Sequence, residues 1–345
     1  MSKDYLIRVS LKQWAIVTGD CKEGMKNMIE LSVIIPMYNS QNTIRECLNS
    51  ICINKSIEVI LVDDGSTDQT SIICNEFCEN NSKFKYIFQE NSGPGAARNL
   101  GINNAQGNYI MFLDSDDYLD GSALEDIIDT KLSSGYDIIY YNFEQIDENG
   151  NFLRQHRLSE YNEMDKQKLI NSTLSWKLPW GQFKLISSDI LGNGNIRFAE
   201  DVKDSEELIF TIACLENADS IFFCESVVYK YVKRSNSLST SHDGFDLYQC
   251  RASVISSLKD RYGNKYQVGI YNYTFVTYIQ LLKLFAEQSK GLRGYNLYCN
   301  RCKKEAKMLL NKVDIQYFER RYKVLYTALK LNLDLLLYFA FKFTR

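Results

Sequence analysis

The sequence predicts an α/β protein: a mostly parallel sheet flanked by helices, followed by a helical C-terminal region. Three observations carry this. Between residues 31 and 145, short apolar runs alternate with helical stretches, the pattern of βαβ units. Acidic, aromatic and Gly-rich pieces recur where those runs end. From about residue 245 the chain reads as helix, including "YTFVTYIQLLKLFAE".

The elements follow in order. "LSVIIP" reads as a buried strand and "QNTIRECLNSI" as a helix. "IEVILVDD" is a second strand, and "DQTSIICNEFCEN" a second helix with Asp68 placed to cap it. "FKYIFQ" is a third strand, and "PGAARNLGINNA" a third helix with Pro94 near its start. "YIMFLD" is a fourth strand, "SALEDIIDTKLSSG" a helix and "YDIIYYNF" a fifth strand. After residue 145 the pattern is irregular, with "LPWGQFKLISSDIL" and "NIRFAEDVKDSEELIF" as its notable pieces.

Ligands of open α/β sheets sit outside the carboxyl ends of the strands. Here the first strand ends in Pro36, Met37, Tyr38 and Asn39, and the second in Asp63 and Asp64. The third leads into "QENSGPGAARN", and the fourth ends in Asp114, Ser115, Asp116 and Asp117. In a parallel sheet these ends share one edge. Carboxylates so crowded repel one another. One reading is a polar turn capping the helix near Ser122. The other is a divalent cation, Mg²⁺ or Mn²⁺, held by Asp114 and Asp116 and shared with a diphosphate. An EF-hand is excluded, because its glycine position holds Leu119.

"GPGAARNLG" mimics a dinucleotide-binding turn, but the sixth position is Arg98 and the unit is the third of the chain. Arg98 reads instead as a phosphate or base contact, or as an ion-pair partner of an edge aspartate.

"SVIIPMYNSQNTIRECLNSI", "IEVILVDDGSTD", "NSGPGAARNLGINNAQGNYIMFLDSDD" and "EELIF" resemble glycosyltransferase family 2, the inverting enzymes of GT-A fold. "YKYVKRSNSLS" resembles the segment closing the site in bacterial polysaccharide-assembly members. The resemblance spans about residues 31–245. It implies that Pro36 and Tyr38 border a nucleotide base, Asp64 binds uracil, and Asp63 supports that loop. It places Arg98, Asp114 and Ser115 near the nucleotide-sugar, with Asp114 and Asp116 on the metal. The family's base is the second residue of a Glu-Asp pair three residues before a Phe; here the pair is Glu206-Glu207 before Phe210. Glu207 stands where Asp is usual, which leaves Glu206 and Asp204 as rivals. Arg234 and His242 are candidates for the diphosphate or metal, with a solvated loop histidine the plainer reading of His242. Trp176 and Trp180 are candidates for an acceptor platform, or core tryptophans.

The implied organisation is an N-terminal extension (1–27), a glycosyltransferase domain (28–245, with a nucleotide-sugar half to about 145) and a helical region (246–345). The implied reaction moves a hexose, glucose or galactose, from a UDP-sugar to a saccharide on an undecaprenyl-diphosphate-type lipid, in O-antigen, capsule or exopolysaccharide assembly. Alternatives are a non-catalytic sugar-nucleotide-binding module, motivated by Glu207, and a metal-dependent nucleotidyltransferase, for which "PMYNSQNT" lacks a basic triphosphate loop.

Bulk properties narrow the partners. The chain has 345 residues, net charge −3 and pI about 5.7, so no field attracts nucleic acid. Ten cysteines lie scattered, fitting a reducing cytoplasmic compartment; Cys299 and Cys302 form a lone C-x-x-C, read as helix-face thiols. Residues 1–28 show no signal-peptide pattern, and no run reaches the ~18 apolar residues of a membrane span. "LDLLLYFAFKFTR" (333–345), with basic residues upstream, fits either a helix packed on the body or an interfacial helix at the inner membrane face.

Overall fold

A computed structural model describes residues 29–200, 202, 205–234, 244–288 and 292–333. The N-terminal extension, Asp204, His242 and the tail after Leu333 lie outside the described residues.

Strands β1 (Leu31–Met37), β2 (Ile57–Asp64), β3 (Phe84–Gln89) and β4 (Tyr109–Phe112) form a parallel half-sheet in the order β3-β2-β1-β4. Every residue of β1, β2 and β4 is buried, because helices cover both faces. Register pairs Met37 with Asp63, Asp64 with Gln89 and Ile34 with Phe112, so the four carboxyl ends share one edge.

Helices α1 (Ile44–Ser50), α2 (Thr70–Asn80), α3 (Pro94–Asn104) and α4 (Gly121–Lys131) make the crossovers. A Cβ on Gly101 of α3 would lie 2.3 Å from Ile34 Cγ2, so glycine there lets the helix lie against β1. Gly101 therefore supplies the close packing that Arg98 forgoes. The cap of α4 is Asp120, which accepts from Ala123 N (3.1 Å); Asp114, Asp116 and Asp117 are not its caps.

The fifth apolar run becomes β6 (Ile138–Asp147), but it does not pair with β4. Strand β8 (Lys184–Ser187) lies between them, antiparallel to both. Strand β9 (Ile221–Lys233) pairs in parallel with β6, β5 (Tyr118–Leu119) pairs with β9, and β7 (Phe152–His156) folds back on β6. The sheet is thus mixed. Helices α5 (Lys166–Leu174), α6 (Ser188–Asn193) and α7 (Glu206–Asn217) complete this part.

An aromatic cluster fixes α7. Phe198 stacks on Phe210 (3.9 Å between centroids), and Phe112 of β4 meets both edge-on. Such pairs contribute about 0.5–1.5 kcal/mol each beyond burial. They hold the first turn of α7 beside the carboxyl end of β4.

The remaining described chain is helical: α8 (Gly244–Tyr262), α9 (Gln267–Gln288), α10 (Leu292–Leu309) and α11 (Arg320–Lys330). Helix α9 belongs to both cores, with Ile270 and Tyr273 in the first and Phe275, Ile279 and Leu282 in the second. Its buried Asn272 donates to Ser175 Oγ (2.9 Å) and Asp314 O (3.1 Å) and so joins them. No helix among the described residues is long and apolar enough to cross a membrane.

Candidate active site

The loops after β1 and β2 are tied together by hydrogen bonds. Asn39, at φ +50°, accepts from Thr67 N (2.9 Å) and donates its own N–H to Ser66 Oγ (2.9 Å). Ser40 N donates to Thr70 Oγ1 (2.7 Å), and Asp68 bonds both Thr70 N (2.9 Å) and Gln41 N (3.1 Å). Beside this junction Tyr38 is 52% exposed, an open ring at the sheet edge, while Pro36 is buried within β1. Ser40 Oγ and Ser115 Oγ lie 2.8 Å apart, which brings the β4 loop to the same place.

Asp63 accepts from Ser66 N (2.8 Å) and Tyr86 Oη (2.7 Å), and so holds the β2 loop from below. Asp64 differs from the expectation of an open uracil acceptor. Its Oδ1 receives Gln89 Nε2 (2.6 Å) and Ser92 N (2.8 Å), and its Oδ2 receives Gly93 N (2.9 Å). Gly93 sits at φ +92°, a conformation glycine adopts without strain. Asp64 anchors the Gly-rich turn because that turn's N–H groups point back at it.

The aspartate cluster is divided among separate protein partners. Asp114 Oδ1 receives Arg98 Nη2 (3.0 Å), and Asp116 Oδ2 receives Arg234 Nε (3.3 Å). Asp117, 1% exposed, receives Tyr229 Oη (2.7 Å) and Val232 N (2.7 Å). Tyr229 Oη also accepts from Asp114 N (3.2 Å), so β9 braces the cluster. Relief is incomplete. Burial and then the Asp114 charge push the Asp116 carboxyl above its ordinary range, and burial with both neighbours does so more strongly for Asp117.

Arg98 lies at the centre. Its guanidinium, 5% exposed, meets Asp114, Glu206 Oε1 (3.1 Å) and Glu207 Oε1 (2.9 Å), and packs over the Phe198 ring. Of the two sequence readings, the ion pair with an edge aspartate is present, and it extends to both glutamates of α7. Glu206 is buried against Arg98, whereas the Glu207 side chain is 24% exposed. Gln182 Nε2 donates to Glu207 Oε1 (2.6 Å). Burial pushes the Glu207 carboxyl up to about 7; Arg98 pulls it back, and Asp114 and Glu206 push it further.

Arg234 is spent on Asp116, through its carboxylate and its carbonyl (2.8 Å), rather than standing open to a phosphate. Trp176 packs edge-on to Trp180 (4.3 Å) and stacks on Tyr273, with Arg251 over its ring. That makes Trp176 part of the seam with the C-terminal helices, not an open platform. Trp180 is half-buried, two residues from Gln182. Sequence reading missed Gln182, Tyr229 and Asn99, which clamps Phe198 N and O (2.9 and 3.0 Å). Tyr229 opens the "YKYVKR" segment, which was a signal; Gln182 offered none.

Among the described residues no group of three or more His, Cys, Asp or Glu forms a self-sufficient metal site. The donor set suits a hard cation that takes one or two carboxylates and completes its shell with phosphate and water. Asp114 and Asp116 are 33% and 43% exposed at one sheet edge, and their mutual repulsion is not fully relieved.

Residues 32–191 match the family model for Glycosyl transferase family 2. GlyG of Streptococcus pneumoniae serotype 4 is 31% identical over 239 residues, covering 65% of this chain and 77% of that protein. The chain belongs to glycosyl transferase family 2. The family match ends before α7, so Glu206 and Glu207 lie outside it. GlyA of the same organism is 40% identical over 133 residues, 38% of this chain and 19% of its own length. The fold of this family 2 chain is that of Staphylococcus aureus TarS 1-349 in complex with UDP-GlcNAc: TM-score 0.57, 21% identity, 81% of this chain and 89% of that one. The chain spans only 62% of Bacillus subtilis EpsJ and 36% of TarS in its curated form, named a poly(ribitol-phosphate) beta-N-acetylglucosaminyltransferase.

Proposed function

We propose that this chain is an inverting glycosyltransferase that moves a sugar from a UDP-sugar to a saccharide hydroxyl. One observation carries the reading: Arg98 joins Glu207, at the start of α7, to Asp114, at the end of β4. A candidate base and a candidate donor site are thereby held one guanidinium apart.

Tyr38 stacks on the uracil, with Pro36 and the Asp64-anchored turn bordering it. Asp114 and Asp116 would hold Mg²⁺ or Mn²⁺, which would supply positive charge for the departing UDP. Glu207 takes the proton from the acceptor hydroxyl as that oxygen attacks the anomeric carbon. The bond from that carbon to the diphosphate breaks, and UDP leaves with the electron pair. A single displacement inverts the centre, so an α-linked donor yields a β-linked product. A carboxyl near 7 suits a base working at neutral pH. Gln182 and Arg98 fix its direction, and Trp180 is the ring we assign to the acceptor. Glucose and galactose are the donor sugars read from the sequence; TarS binds UDP-GlcNAc, which adds N-acetylglucosamine. The acceptor is a saccharide on a lipid diphosphate, in polysaccharide assembly at the cytoplasmic membrane face.

The test is UDP release from these three donors with lipid-diphosphate-linked acceptors, with Mn²⁺ and with chelator. Metal-independent turnover sinks the cation assignment. UDP binding without transfer from any donor, unchanged in Glu207→Gln, would make the chain a sugar-nucleotide-binding module.

A further inference from the structure

Residues 300–333 carry nine Lys and Arg against three Asp and Glu, in a chain whose net charge is −3. The basic excess is concentrated on α10, α11 and their connection. Both helices bury one face: Cys302, Ala306 and Leu309 of α10 and Tyr322, Ala328 and Leu329 of α11 enter the second core with Phe275 of α9.

The opposite faces carry a mixed set. Lys304 and Met308 are exposed on α10, one helical turn apart. On α11 and its C-cap, Arg320, Lys323, Val324 and Leu331 are exposed at spacings that put them on one side. Val324 is 58% exposed, Leu331 62% and Met308 54%, high values for large apolar residues. Lys307 Nζ donates to Asn332 Oδ1 (2.6 Å), which ties α10 to the residues just after α11. Tyr326 Oη donates to Leu310 O (3.0 Å) and locks the two helices together. Among the described residues Lys304, Arg320 and Lys323 form no ion pair.

We infer that this α10–α11 face docks on an anionic phospholipid bilayer. Basic residues meet lipid phosphates, each worth roughly tenfold or less in affinity near the surface, and the apolar side chains enter the headgroup boundary. A soluble polyanion would explain the charge but not Val324, Leu331 and Met308 beside it. The inference deepens the proposed function by naming what holds the enzyme near a lipid-linked acceptor, but its geometry is independent of the sheet edge.

Full-length protein is sedimented with vesicles of phosphatidylcholine alone and of phosphatidylcholine mixed with phosphatidylglycerol. At low salt the anionic vesicles should bind at least about tenfold more strongly, and added salt should erase the difference. The triple variant K304E/R320E/K323E should lose about tenfold or more, and Val324→Asp with Leu331→Asp several-fold. Both sets change exposed residues, so folding is preserved. Equal binding to the two vesicles overturns the inference, as does wild-type binding by the triple variant. No binding at all, as when residues 334–345 of this chain cover the face, overturns it too. Loss by the charge variant with none by the apolar one points to a soluble polyanion and also overturns it. UDP release is measured in parallel: retained turnover with lost vesicle binding leaves the proposed function standing, and the reverse separates the two failures.

Discussion

Strand β2 carries near its start a carboxylate, Glu58, that is treated differently from those gathered beyond the carboxyl ends of the sheet. At its start Glu58, 2% exposed, receives Ser32 Oγ (2.7 Å), Lys85 Nζ (2.5 Å) and Gln106 N (2.6 Å). Burial alone would raise its carboxyl, but these three donors outweigh it and hold the group below the ordinary range. At the other edge of the sheet, Asp116, Asp117 and Glu207 are all pushed up. Burial with enough donors makes a structural group, as at Glu58. Burial with too few donors and like-charged neighbours makes a reactive one.

Removing the shared cation should break this contrast most. Arg98→Met leaves Asp114, Glu206 and Glu207 without their partner, so stability should fall by about 3–5 kcal/mol in urea unfolding. Transfer should be lost with it. A smaller fall than Glu58→Gln causes would show that Arg98 is not the hub.

Glu207→Gln should cut kcat by about 10²–10⁴-fold while UDP binding by calorimetry survives. Its folded carboxyl is raised from 4.5 to about 7, so its contribution to stability is present below 4.5 and lost as pH rises through 7. The variant should therefore be more stable than the parent above pH 7, by roughly 1 kcal/mol. In the parent, kcat/KM should fall about tenfold per unit below about 7 as Glu207 takes a proton. A profile flat from 5 to 8 excludes Glu207 as the base.

Tyr229→Phe removes the hydroxyl that donates to Asp117 and accepts from Asp114 N. The loss should be about 1–3 kcal/mol, read as a lower urea midpoint with unchanged slope. Glu58→Gln should cost least, about 1 kcal/mol at neutral pH. The sign is opposite to Glu207: a depressed carboxyl stabilises above 4.5, and that stability is lost as pH falls through its folded value. The variant's deficit should therefore vanish in acid.

Local pattern made much of this legible. Continuous apolar runs named β1 to β4, and the residues just beyond them named the edge, because parallel strands must end together once helices connect them. Tyr38, Asp63 and the aspartate cluster were found that way. The mixed half of the sheet was not legible, since β8 enters between β4 and β6 from a segment only four residues long. Nor was the division of Asp114, Asp116 and Asp117 among Arg98, Arg234 and Tyr229, whose partners lie 16 to 118 residues away.

By itself, then, the sequence determined which elements form, which way the first four strands run and which residue types gather at their ends; those follow from periodicity and chain connection. Only the tertiary structure decided which carboxylates are neutralised and which stay under strain. That depends on donors such as Gln182, Arg98 and Tyr229 arriving from distant segments, and a carboxyl's proton affinity is set by what surrounds it in space.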